Sequence, residues 1–250
     1  MKTVSLTALL LSCCSLFLSS CKKYDIETPP PGPETEMGNG RIRSFSTVAN
    51  GKPLTIGIEL TPASLQGLST SGHSTYLLTL SDEIKRLTAF DHIVVDWNPK
   101  GHAPDSVYDI PHFDFHFYTI NNAERLAIGS WEKDSIALKK NPPLSFLPPH
   151  YVPAAADPDM GKHWVDTTGL EFDRVTFTKT FIYGTYNGRV NFVEPMITKA
   201  FIDKGDGFDD PIPQPTIYSP VEAWYPQIYS GKKNAAGNYT VTLSDFAWRP

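Results

Sequence analysis

The 250-residue chain has three cysteines, Cys13, Cys14 and Cys21, and none beyond position 21. No disulfide can brace the remaining residues, so a stable fold there must come from a hydrophobic core or a bound metal. Long apolar runs are equally scarce. The main one, Leu6 through Leu18, is shorter than the roughly 20 residues a membrane-spanning helix needs. Positive charge is not concentrated anywhere: with a formal net charge of −5 and its Lys and Arg scattered, the chain lacks the basic stripe that nucleic-acid binding requires. It also has no internal repeat and no glycine-rich phosphate loop, which removes solenoids and the common nucleotide-binding folds.

Lys2, the apolar run and the small residues Ser19 and Ser20 before Cys21 read as a secretory signal over residues 1–20. Leu18-Ser19-Ser20-Cys21 resembles the lipobox of bacterial lipoproteins. The resemblance implies cleavage before Cys21, lipidation of Cys21 and a protein anchored in the bacterial cell envelope, at the outer membrane. Cys13 and Cys14 leave with the signal. Residues 21–40 come next as a tether in which Pro29-Pro30-Pro31 and Pro33 disfavour helix and ladder alike. Residues 41–250 are long enough for one sizeable core and show no second linker, so a single domain is expected.

That domain reads as all-β, an antiparallel sandwich or barrel with one or two short helices and long proline-rich loops. Two alternating runs, 41–48 and 53–60, flank Asn50-Gly51, a hairpin turn signal. Thr61-Pro62 opens a short helix. Strands are expected at 75–80 and 91–97, and a second hairpin over 175–183 and 189–197 turns at Tyr186-Asn187-Gly188. Residues 121–138 are the plausible helical region, with Ala123, Leu126, Ala127 and Ile136 as candidate buried positions. The stretch 141–161, dense in proline, reads as a long irregular excursion. Residues 203–210 read as an exposed acidic turn or a weak Ca²⁺ site, since they lack the EF-hand spacing. A proline-rich stretch, 211–226, and a last strand over 238–247 close the domain.

The segment 97–118 holds three of the seven histidines. As an extended strand, it places His112, Asp114, His116 and Tyr118 on one face and Phe113, Phe115 and Phe117 on the other. The aromatic face suits a core. The opposite face carries groups able to bind metal or move protons. His112 and His116 are four strand steps apart, about 13 Å between Cα atoms, whereas neighbours on one face are about 6.6 Å apart. The pair His112 with Asp114, or Asp114 with His116, therefore converges on an ion more easily. Completion is expected from His163 and Glu194, giving a divalent metal site, most simply zinc, of His112, Asp114, His116, His163 and Glu194, with His102 and Tyr118 in the pocket. A metal-free pocket for a small-molecule ligand remains an open alternative, as does a purely structural polar row in a non-enzymatic binding or interaction module that engages a partner through the proline-rich loops at 141–160 and 211–226. His102 could equally orient its loop, and Glu194 could simply end a strand. His73, His92 and His150 show no partner in the sequence and read as surface or packing residues. Trp224-Tyr225 could line a groove. Oligomerisation, the reaction and the substrate are left open.

At these residues a resemblance appears. The blocks at 97–104 (WNPKGHAP), 108–118 (YDIPHFDFHFY), 160–166 (MGKHWVD) and 192–198 (FVEPMIT) resemble the signature blocks of a secreted bacterial family of unknown function, the TTHB-type β proteins, from about Gly38 to about Ala200. The resemblance implies a shared β fold and a shared pocket at His102, His112, Asp114, His116, His163 and Glu194, with no established activity. A weaker likeness is to cupins, which hold metal with histidines and a glutamate on barrel strands. Cupins space two of those histidines two apart, whereas here Asp114 lies between histidines four apart, so the likeness is one of analogy.

Overall fold

The computed structural model describes residues 25–250. The signal segment and Cys21 lie outside the described residues. Two seven-stranded antiparallel sheets face each other. The first runs in the order Ile26–Glu27, Gly40–Ala49, Lys52–Leu60, Tyr239–Ser244, Ile228–Lys233, Phe208–Pro211, with Thr35–Met37 also pairing with Gly40–Ala49. The second runs Ser74–Thr79, His92–Asn98, His112–Tyr118, Arg189–Thr198, Lys179–Tyr186, Gly161–Asp166, Tyr151–Asp157. The expected choice between sandwich and barrel resolves to a sandwich.

One apolar cluster fills the space between the sheets. Ile56, Ile58, Val241 and Leu243 enter from the first; Ile93, Val95, Phe113, Phe115, Phe117, Val193 and Ile197 enter from the second. The alternation expected over 112–118 is therefore present, with the three phenylalanines all fully buried in the core. Burial of each contributes roughly 1.5–3 kcal/mol. Alternation also sends His112, Asp114, His116 and Tyr118 to the outer face. Loops cover that face, so all seven residues of the strand are buried.

Several expectations are corrected. Ile26–Glu27 and Thr35–Met37 pair with the first long strand, and Met37 is buried, so two short pieces of the expected tether are docked on the sheet. The stretch 141–161 contains an edge strand, Tyr151–Asp157, whose Pro153 is accommodated beside a register shift between Pro153 and Ala156, where no ladder donor is needed. Four short α-helices occur among the described residues, including Asp82–Leu87, capped by Ser81. In the helical region Ala123, Leu126, Ala127 and Ile136 are exposed, while Arg125, Ile128 and Leu138 are buried. Arg125 is held inside because its guanidinium lies 5.7 Å from the Tyr118 ring centre and donates to the Asp159 carbonyl at 3.3 Å. In place of an acidic turn, Lys199–Lys204 is a helix and Phe208–Pro211 an edge strand. There Asp210 pairs with Lys179 and Asp209 accepts from the Ser230 hydroxyl. Lastly, Ile228–Lys233 is a strand that the sequence pattern left unassigned.

Candidate metal centre

The outer face of the second sheet is assembled by register. His112–Tyr118 pairs with His92–Asn98 so that Asp96 lies opposite Asp114 and Asn98 opposite His112. On its other side Phe192 lies opposite Tyr118 and Met196 opposite Asp114, which places Glu194 beside His116. Two strands further on, His163 is opposite Gly184. Gly184 is needed there, because a Cβ would run into the Phe192 ring.

The result is two groups of ligand-capable atoms. His102, His112 and Asp114 form one; His116, His163 and Glu194 form the other. The single five-residue site expected from the sequence is thus divided, and His102, expected only in the pocket, joins the first group. The ring of Tyr118 stacks on His92 at 4.9 Å, its hydroxyl donates to the Asp159 carbonyl, and it does not line the cavity that both groups share.

In the first group, His112 Nδ1 lies 2.7 Å from the Ile110 carbonyl and His102 Nδ1 2.8 Å from the Ala103 carbonyl. A carbonyl only accepts, so both Nδ1 atoms carry hydrogen and donate, which leaves each Nε2 free in the neutral ring. His112 Nε2 faces Asp114 Oδ1 at 3.1 Å and His102 Nε2 faces Asp114 Oδ2 at 3.4 Å. Asn98 Nδ2 donates to Asp114 Oδ2 at 2.6 Å and fixes the carboxylate. His102 reaches in from a loop turned by Gly101, at φ +67, where a Cβ would strike the Tyr108 carbonyl. The loop is closed by a bond from the His102 amide to that same carbonyl. Phe177 packs edge-on against His112 at 5.5 Å.

In the second group, His116 Nε2 is 3.5 Å and His163 Nε2 3.8 Å from Glu194 Oε2. Asp96 Oδ2 is 3.1 Å from His116 Nδ1. Asp96 is itself held through Oδ1 by the Thr75 hydroxyl at 2.6 Å and by His73 Nε2 at 3.1 Å. His163 Nδ1 lies 3.4 Å from the Ala155 carbonyl. Phe192 packs against both imidazoles.

The electrostatics reflect burial and charge. Burial disfavours an ionised Glu194 and, despite His116, holds its carboxyl up at about 8. Burial works against a charged His102, but Asp114 outweighs it and raises the imidazole to about 9. The same opposition at His116 ends at about 9, because Glu194 and Asp96 flank the ring. Burial and the neighbouring His116 drive His163 down to about 4. Asp114 is held well below the usual carboxylate range: burial opposes this, and His112 and His102 overcome it. Perturbed groups gathered at one place are a mark of functional sites.

Both groups abut one cavity of about 440 Å³. His73, Asp96, His102, Asp114, Asp157 and His163 line it together with Ala154, Pro158, Met160 and Val165. Sequence reasoning missed His73, Thr75, Asp96 and Asn98. The alternation of 91–97 did set Asp96 apart from Ile93, Val95 and Trp97, and its juxtaposition with the histidine strand was the signal available. Comparison with known proteins adds no relative: no family model, curated protein or solved structure matches the chain.

Proposed function

We propose that this is a divalent-metal-binding protein of the bacterial cell envelope, anchored through a lipid on Cys21, with an ion held by His102, His112 and Asp114. The carrying observation is that His112 Nε2 and Asp114 Oδ1 are buried and 3.1 Å apart, yet neither has a hydrogen-bond partner. Two lone pairs that close repel unless a proton or a metal ion lies between them. Two imidazoles whose far nitrogens are fixed by carbonyls, with a carboxylate fixed by an amide, suit zinc in donor type and in orientation. Three protein ligands leave a position toward the cavity, as at catalytic rather than closed structural zinc sites. The cavity is in the size range of small-molecule pockets. A zinc ion so placed supplies polarisation of a coordinated oxygen, while His102, Asp114 and Asn98 orient what enters. The block resemblance to the TTHB-type β proteins and the signal-like start support the envelope assignment.

A second reading is a binding module that engages a partner through the 211–226 segment. Exposed Ile217, Val221 and Trp248 favour it. Elemental analysis of the purified chain, beside a variant with His112, Asp114 and His116 all changed to Ala, separates the two. The metal reading predicts about one or more equivalents of metal in the parent and loss in the variant. Negligible metal in both removes it and leaves the binding module.

A further inference from the structure

The second group of ligands is built as completely as the first. His116 and Glu194 are 0 % and 1 % exposed, and His116 Nε2 and Glu194 Oε2 both lack a hydrogen-bond partner. His163, from a different strand, turns its Nε2 toward the same carboxylate oxygen. Each group has its own backing, with Ile110, Ala103 and Asn98 behind one and Asp96 and Ala155 behind the other. Each also has its own apolar packing, Tyr108 and Phe177 in one cluster and Tyr118 and Phe192 in another.

The ligand atoms fall into two sets, each within 4.8 Å internally, and the neighbours Asp114 and His116 belong to different sets because their side chains reach for different partners. Zinc ligands must all lie about 2.0–2.2 Å from the ion. We infer that the chain binds two divalent ions at once, the second held by His116, His163 and Glu194; this rests on the metal-binding reading of the first group. Asp96 is then a positioning residue. Its Oδ2 stands 3.1 Å from His116 Nδ1 without a formed hydrogen bond, at the place where carboxylates orient metal-ligating histidines elsewhere, and Thr75 and His73 hold its Oδ1.

The two sites differ in access. The His102 side chain is 39 % exposed, whereas the second group shows solvent only His163, at 13 %. The first ion should therefore exchange with a chelator faster than the second.

The test is zinc titration of the full chain in detergent, with bound metal counted after removal of free ion. The expected result is two equivalents in the parent, one in His112→Ala, and one in either His163→Ala or the nearly isosteric Glu194→Gln. Circular dichroism confirms that each variant is folded, and the two second-site variants guard against a failure of either. Asp96→Asn is expected to weaken the second site alone by roughly 10- to 100-fold. One equivalent in the parent, abolished equally by variants in either group, means a single shared ion and overturns this inference while sparing the proposed function. No bound zinc in the parent overturns both.

Discussion

The Nε2 atom of His112 stands 3.1 Å from Oδ1 of Asp114, on the outer face of a strand whose inner face carries three buried phenylalanines. Neither atom is hydrogen-bonded, and the bond from His112 Nδ1 to the Ile110 carbonyl fixes which nitrogen is bare. One strand thus serves the core with one face and presents ligand-capable atoms on the other.

The two faces should respond separately to mutation. Phe115→Ala is expected to cost about 3–5 kcal/mol of stability through cavity formation, measured by denaturant unfolding, while metal stoichiometry under native conditions stays unchanged. Loss of metal with little loss of stability would contradict the division of labour.

Asn98 acts through Asp114, to which it donates at 2.6 Å. Asn98→Ala should lower affinity at the first site by roughly 10- to 100-fold, read by competition with a chromophoric chelator. Unaltered affinity would mean that the amide does not orient the carboxylate.

Gly184→Ala should destabilise the protein by about 1–3 kcal/mol through overpacking, because its Cβ would collide with the Phe192 ring. Phe192 contacts both His116 and His163, so the second group should also lose zinc affinity. A melting temperature and zinc affinity equal to the parent's would show that the ring moves aside freely.

Without metal, stability should fall as pH rises from about 6.5 to about 9. His102 and His116 have pKa values raised from 6.5 to about 9, so their contribution is present below the ordinary value and is lost as pH climbs through the raised one. Glu194, raised by burial from 4.5 to about 8, keeps its proton in the folded state after the unfolded chain has released it, and it acts in the same direction up to about pH 8. Zinc held as proposed would replace these protons, so its stabilising effect should grow with pH. Melting curves with EDTA and with zinc at pH 6.5 and 8.5 test this. A metal-free melting temperature that rises with pH would reverse the sign.

How far the sequence carries depends on the distance between the residues that must meet. The split of 112–118 into two faces was legible because a strand's side-chain period is two and seven consecutive residues obey it. The hairpins were legible from Asn50-Gly51 and Asn187-Gly188 for the same local reason. The partition of the ligands was not. It depends on the register that sets Glu194 beside His116, on pairing of Gly161–Asp166 two strands away, and on a loop closed at Gly101. Asp96 was hidden likewise, since its role exists only once Asp96 pairs with Asp114. In the helical region, simple hydrophobicity misplaced the buried face because Arg125 found a ring and a carbonyl to satisfy it inside.

Anomalous X-ray diffraction at the zinc edge, on crystals grown with zinc, would locate the first ion. A peak is expected about 2.0–2.2 Å from His102 Nε2, His112 Nε2 and an Asp114 oxygen. A map without that peak, in which His112 Nε2 and Asp114 Oδ1 remain side by side and share only a proton, would contradict the proposed site.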